Sequence, residues 1–165
     1  MTIHADMRRT YHLFPQNPEF ERKFRFEADL PFLVRTIAGL NGQFGSFVTD
    51  GPDRKATPIQ AKRSIEVEIA DKSVDFVPLN KNTLDSVKDI TPQGTIDFKI
   101  NLQYSVLDAK YNRVAFKGDT YLVRTNLDNR VLTMNIHLID GLARTAPERI
   151  ADTIVEEIKR KAGNV

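Results

Sequence analysis

The side chains best suited to chemistry in this sequence are amides, hydroxyls and cations that recur at every second position in two segments. Residues 94–107 and 132–138 carry them, with apolar residues between. A period of two places such polar groups on one face of a β-sheet. Groups of these types can hydrogen-bond phosphates and base edges, so the face is a candidate nucleic-acid surface, with a solvated outer face as the alternative. Its candidate residues are Lys99, Asn101, Gln103, Thr133, Asn135 and His137, with Lys117 and Arg124 as further candidates.

The most basic local stretch is residues 50–63, whose Arg54 and Lys55 are further candidates for binding nucleic-acid phosphates. Asp50 and Asp53 in the same stretch weaken its positive potential, so a solvated loop is the alternative interpretation. The whole chain has 24 basic and 22 acidic residues and a net charge of +2. That charge is too small to define a dedicated polyanion-binding protein, although the distribution of charge matters more than its sum.

The titratable residues show no spacing typical of catalysis or metal binding. His4, His12 and His137 are scattered, and the absence of cysteine excludes thiolate metal sites and cysteine nucleophiles. Acidic pairs such as Asp85 and Asp89 fall in turn-rich segments, where turn formation explains them. No Walker A or dinucleotide-binding glycine pattern is present. The sequence therefore predicts a protein that is not an enzyme, with no cofactor, no metal and no small-molecule substrate.

The elements that must position the polar face begin with a strand over residues 94–107. Apolar residues alternate with polar ones from Ile96 to Val106, over about twice the usual length of a strand. Further along, the apolar residues Val114 and Phe116 are at even-numbered positions, whereas Tyr121 is at an odd-numbered position. A strand that keeps one face in the core cannot change parity without an extra residue, which predicts a bulge or tight turn at residues 118–119.

Helices are predicted near both ends of the chain. Asp29 and Pro31 resemble a helix start and predict a short helix over residues 31–40. Thr145 to Glu148 has the form of a capping box and opens an amphipathic helix over residues 145–161.

The remaining segments are less regular. Residues 1–18 are predicted as an N-terminal arm, 19–28 as a short strand, 41–62 as a long loop with a strand at 44–49, 64–69 and 74–77 as a hairpin, and 83–87 as a single helical turn.

Together these elements predict one α+β domain over residues 1–165. We expect an antiparallel β-meander packed on one face by the C-terminal amphipathic helix, with a short N-terminal helix and an open polar face; residues 64–162 form the sheet and closing helix. No apolar stretch approaches the roughly 20 residues needed to cross a bilayer, so a soluble protein without a membrane span is predicted.

In element order, residues 64–162 resemble the coat proteins of small single-stranded RNA bacteriophages. The residues behind this resemblance are the alternation from Ile96 to Leu138 and the helix over residues 145–161. The N-terminal region departs from that family, which begins with a strand hairpin. The resemblance implies a self-assembling homo-oligomer, dimers across the sheet edge, a virion shell, and RNA against the polar face.

Other function classes fit the same pattern. A phage tail-terminator or connector subunit would be an ordered oligomer without enclosed nucleic acid. An envelope assembly lipoprotein would use a similar sheet and closing helices, and would need an acylated cysteine upstream. A small enzyme or lipid-binding cup would need a sizeable enclosed apolar pocket.

Overall fold

The computed structural model describes residues 10–50, 58–71, 75–87 and 90–163, and it has an α+β architecture. Most of the described chain forms an antiparallel sheet, curved into a half-barrel, with a helix at the C-terminal end. The strands are β1 Phe20–Arg25, β2 Phe44–Asp50, β3 Pro58–Asp71, β4 Asp75–Pro78, β5 Gly94–Leu107, β6 Arg113–Asp128 and β7 Val131–Asp140. The helices are α1 Leu30–Ala38 and α2 Pro147–Gly163, with a short 3-10 turn at Leu84–Ser86.

The strand order differs from that of a simple meander. Neighbouring strands follow the order β1-β7-β6-β5-β3-β2, and β4 pairs with β3 beside β2. Strands β5, β6 and β7 follow one another directly across the sheet, as do β2 and β3, whereas β3 pairs with β5 and β1 pairs antiparallel with β7. The first strand therefore lies at one edge of the sheet and the second at the opposite edge.

The core lies between one face of this sheet and the two helices. Ile96, Phe98 and Ile100 of β5 are almost fully buried, as the alternation in the sequence predicts. Both helices contribute an apolar side to the same core, including Leu33 of α1 and Ile154 of α2. Burial of this continuous apolar cluster is the main term that stabilises the fold.

Helix α1 begins where the sequence places a helix start. The Asp29 carboxylate accepts a hydrogen bond from the Phe32 amide at 2.9 Å, which satisfies one free N–H group of the first turn. Pro31 lies in that turn, where its missing N–H costs nothing. The helix ends at Ala38, two residues before the predicted end.

The expected long loop over residues 41–62 is wrong at its C-terminal end, because β3 already begins at Pro58. Its residues pair with β2 in a regular antiparallel register, from Phe44 opposite Ser64 to Asp50 opposite Pro58. Proline is tolerated at the first residue of a strand. Lys62 and Arg63 side by side obscure the alternation in this part of the sequence.

Neither helix within the described residues is long and apolar enough to cross a membrane.

Candidate nucleic-acid interface

The strand register places the six predicted sheet-face residues on one face. Lys99 lies opposite Leu122, which lies opposite His137, and Asn135 lies opposite Arg124 in the next row. The face continues through β3, where Glu68 lies opposite Lys99. It therefore spans several strands, and carboxylates lie among its cations.

The centre of this polar face is already satisfied by internal contacts. Lys99 Nζ lies 4.7 Å from the centre of the Phe76 ring. Asn101 donates a hydrogen bond to Glu68 Oε2 at 2.8 Å and accepts one from Thr120 Oγ1 at 3.0 Å. A ligand phosphate would have to displace these contacts and approach the Glu68 carboxylate.

The N-terminal segment covers another part of the face, which the sequence predicts to be open. Residues 10–14, here called the strap, lie across β5 and β6. The Tyr11 amide donates to the Asp97 carboxylate, and Arg124 donates to the Tyr11 carbonyl at 3.0 Å. Arg124 also makes a two-point ion pair with Asp97, both distances being 2.8 Å, and its guanidinium lies 4.5 Å from the Phe14 ring centre. Asp97 is fully buried as a result, although it belongs to the polar face.

Thr133, Asn135 and His137 lie near or beneath this cover. Thr133 and Asn135 line an open groove under the strap. His137 is half-buried, with Nδ1 4.0 Å from Glu19 Oε1. Arg54 and Lys55 lie outside the described residues, and the further candidate Lys117 is paired with Asp140 at 3.0 Å.

Gln103 differs from the other five predicted sheet-face residues because it is exposed, at the end of the face away from the strap. There it lines an open groove of about 460 Å³, here called the cationic groove. The groove also contains Lys62, Arg113 and the exposed ring of Phe44, which has 79% of its surface accessible. Lys62 and Arg113 have no ion-pair partner in the described part of the chain, and none of the described residues that line the groove is acidic.

Strand pairing brings these residues together from distant parts of the chain. Phe44 lies opposite Ser64, which lies opposite Gln103 on the next strand. Lys62 lies opposite Ser105, and Arg113 is at the start of β6 across from Leu107. The sequence indicates Gln103, and Lys62 belongs to the basic stretch over residues 50–63, but no local pattern indicates Phe44 or Arg113, because the grouping depends on the register of β2 with β3 and of β3 with β5.

A second polar cluster lies on the core side of the sheet, around Asp119. This carboxylate is buried and accepts hydrogen bonds from the Tyr104 hydroxyl at 2.6 Å and from the amides of Ala143 and Arg144 at 3.0 and 2.8 Å. Thr145 Oγ1 is 2.9 Å from the Tyr104 hydroxyl. We refer to Asp119, Tyr104, Tyr121 and Thr145 as the Asp119 cluster.

The Asp119 cluster changes one expectation about α2. Thr145 does not cap the helix as the predicted capping box requires, since its hydroxyl contacts Tyr104 and accepts from Arg63 at 3.0 Å. Ala146 instead precedes the first helical residue, Pro147, and its carbonyl accepts from the Arg149 amide at 2.9 Å. The Thr145 carbonyl accepts a further hydrogen bond from the Tyr121 hydroxyl.

The electrostatics of this cluster favour a structural role. Burial, and then the hydrogen bond to Asp119, raises the pKa of Tyr104, and burial together with the nearby Asp119 charge raises the pKa of Tyr121. A phenol with a raised pKa is a poor general base at neutral pH. The groups of the cluster satisfy one another and the loop amides, and so fasten α2 to the sheet.

Two further features bear on ligands. An apolar cavity between α2 and the sheet has a volume of about 20 Å³, close to that of a single water molecule and far below that of a lipid. Within the described residues, no group of three or more His, Asp or Glu side chains is arranged to hold a metal ion.

Comparisons with protein-family models, with curated proteins and with solved structures found no match. The resemblance to bacteriophage coat proteins therefore stays a prediction.

Proposed function

We propose that this protein is a non-enzymatic, self-associating assembly subunit that contacts single-stranded RNA through the cationic groove. The main support for this proposal is the grouping of two cations, Lys62 and Arg113, around the exposed Phe44 ring, since neither cation has an ion-pair partner among the described residues. Of the candidate residues on the polar face, Gln103 is part of this grouping.

The charge of the groove supports binding of a phosphate backbone. Lys62 and Arg113 are exposed and are paired with no carboxylate of the described segments, whereas Arg124 is neutralised by Asp97. Neutralising phosphates releases counterions and supplies the sequence-independent part of nucleic-acid affinity. The cationic groove is therefore a better phosphate site than the centre of the polar face.

The other groups of the groove favour a single strand over a duplex. An exposed aromatic ring such as Phe44 offers a platform on which an unpaired base can stack. Ser64, Gln103 and Ser105 supply hydroxyl and amide groups that can bind base edges or a ribose 2′-hydroxyl. Bases in a duplex are stacked on one another and cannot use such a platform.

The open sheet supports the self-association part of the proposal. Strands β1 and β2 are edge strands, because the half-barrel does not close on itself. Edge strands can pair with another copy of the chain through their free backbone groups. Repeated pairing of this kind around bound RNA would build a coat-like virion shell, which is the fullest form of the proposal.

The test is binding of a fluorescent single-stranded RNA, measured by anisotropy over a range of salt concentrations. The double variant K62A/R113A should bind more weakly, and its plot of log affinity against log salt should be shallower by about 1.4, since each phosphate contact to a single strand contributes about 0.7. F44A should lose roughly 5- to 100-fold in affinity through lost stacking.

Two matched variants serve as controls. K159A/K161A removes two exposed cations from α2, on the other side of the sheet, and K99A removes the cation that lies over Phe76. Both should bind RNA about as well as the unmodified protein. Equal weakening by K62A/R113A and K159A/K161A would show that the attraction is diffuse, and would overturn the proposed groove.

A further inference from the structure

The open groove under the strap is a second cavity on the polar face. It has a volume of about 520 Å³, within the range of about 300–1,000 Å³ that is typical of small-molecule sites. Its lining shares no residue with the cationic groove. An inference about it therefore goes beyond the proposed function.

The strap contributes aromatic rings to this groove. Tyr11 and His12 have ring centres 5.5 Å apart at an angle of 54°, and Phe14 stacks beneath the Arg124 guanidinium. The Tyr11 ring is held from the other side by Phe76, at 4.9 Å. Rings fixed in this way suit a flat ligand, because stacking on a pre-positioned ring costs little conformational entropy.

The sheet contributes neutral hydrogen-bonding groups. Thr95, Asn126 and Thr133 follow one another across β5, β6 and β7, and Asn135 lies beside them. Asn135 Oδ1 is buried and accepts no hydrogen bond from the described residues. A buried acceptor without a donor is costly, so a ligand N–H or O–H that donates to this oxygen would be favoured.

The charges around the groove cancel. Arg124 is paired with the buried Asp97, and the β1 residues Glu21 and Lys23 carry opposite charges on the same rim. This balance gives no net attraction for a polyphosphate, in contrast to the cationic groove. The ligand chemistry that fits is uncharged, flat and rich in hydrogen-bond donors.

We propose that the groove under the strap binds a purine or pyrimidine nucleoside, with its base against the strap rings and its polar edge on the Asn126 and Asn135 amides. The same base could come from a free nucleoside or from an unpaired residue of an RNA. In either case the base, rather than the phosphate, supplies the contacts.

Calorimetric titration with adenosine, guanosine, cytidine and uridine tests this inference. At least one of them should bind with a Kd below about 1 mM. Loss of one hydrogen bond in N135A should weaken that affinity by roughly 5- to 10-fold, and N126A provides a second, independent variant. Asn82 is an exposed amide in the turn after β4 and lines neither groove, so N82A is the matched amide control and should bind nucleoside unchanged.

Further measurements distinguish a free nucleoside from an RNA base as the source. They also distinguish the nucleoside site from the proposed RNA site in the cationic groove. A nucleoside monophosphate should bind no more tightly than its nucleoside. Nucleoside binding should persist in K62A/R113A. If an RNA oligonucleotide competes with the nucleoside in this variant, the natural occupant is an RNA base. If the oligonucleotide does not compete, the occupant is a free nucleoside. If no nucleoside binds, or if folded N135A and N126A bind nucleoside as well as N82A, the inference is overturned, whatever happens at the cationic groove.

Discussion

Asp119 and its two tyrosine neighbours link a buried charge to the stability of the whole fold. The carboxylate is surrounded by loop amides and the Tyr104 hydroxyl, while the Tyr121 hydroxyl fastens the Thr145 carbonyl. Both phenols are held in their protonated forms by burial and by the negative charge of Asp119. The residues that fix α2 to the sheet are thus also the ones whose protonation alkaline pH would change.

At the residue scale we predict that the protein loses stability in alkaline solution. The pKa of each phenol is raised in the folded state above its ordinary value near 10, so the unfolded chain releases these protons first. The stabilisation is therefore complete below pH of about 10 and declines as the pH rises further, by at most about 1.4 kcal/mol per pH unit for each phenol. Urea unfolding measured from pH 8 to 11 would show this decline.

Phenylalanine variants assign the effect to the two tyrosines. Y104F and Y121F should each lower the free energy of unfolding at pH 8 by about 1–3 kcal/mol, and each should reduce the alkaline slope. In the unmodified protein, absorbance at the phenolate wavelength should show two tyrosines that ionise only as the chain unfolds. Ionisation of all four tyrosines near pH 10 with the fold intact would contradict this account.

At the scale of the element, β6 keeps its two faces because of one bulge. The pairing of β5 with β6 shifts register between Leu102 and Tyr104, beside Gly118. A Cβ atom at Gly118 would lie 2.2 Å from the Leu102 carbonyl oxygen, which is backbone and cannot move aside easily. The parity change expected at residues 118–119 therefore occurs where the two strands approach each other closely.

We predict that G118A destabilises the protein by about 3 kcal/mol or more, because one of the strands must move and the Asp119 hydrogen bonds move with it. The matched control is G45A on the edge strand β2, where an added Cβ meets nothing within 4 Å. G45A should change stability by less than about 1 kcal/mol. Thermal unfolding of both variants measures the difference, and similar melting temperatures would contradict the steric argument.

The elements differ in how far the sequence predicts them. The strand at residues 94–107 and its buried face follow from alternation alone, since every second residue from Ile96 is apolar. In β3 the neighbouring cations Lys62 and Arg63 hide the same pattern. The strap has no local signal, because its position depends on Tyr11 meeting Asp97 and Arg124, which are distant in the chain.

At the scale of the whole molecule, the proposed self-association predicts particles larger than a monomer. Light scattering should show an assembly, and its absorbance ratio at 260 and 280 nm should indicate bound nucleic acid. A charge placed on the edge, in S46K, should reduce the assembly size, because charged side chains on edge strands oppose pairing. The same charge on α2 in A162K should have little effect, and a uniform monomer free of nucleic acid would exclude the shell.

The candidate site is the least predictable part of the molecule, because its exposure depends on contacts with distant parts of the chain. The alternation of polar and apolar residues correctly places Lys99, Asn101 and Asn135 on one face, because this alternation depends only on neighbouring positions within each strand. Which of them a ligand can reach depends on Phe76 and the strap, which come from elsewhere in the chain. Exposure of a site residue is thus a tertiary property that a local pattern does not contain.

The pairing of β1 with β7 has a consequence for the order of folding. Phe20 lies opposite Ile136, so the first strand can find its partner only after strands β2 to β7 have been synthesised. Contacts between such distant residues slow folding, because the long loop must close before the contact is gained. The core face also waits for α2, which follows β7 in the chain. We therefore expect the nascent chain to expose an apolar sheet until α2 has been synthesised, and to need protection from aggregation during that interval.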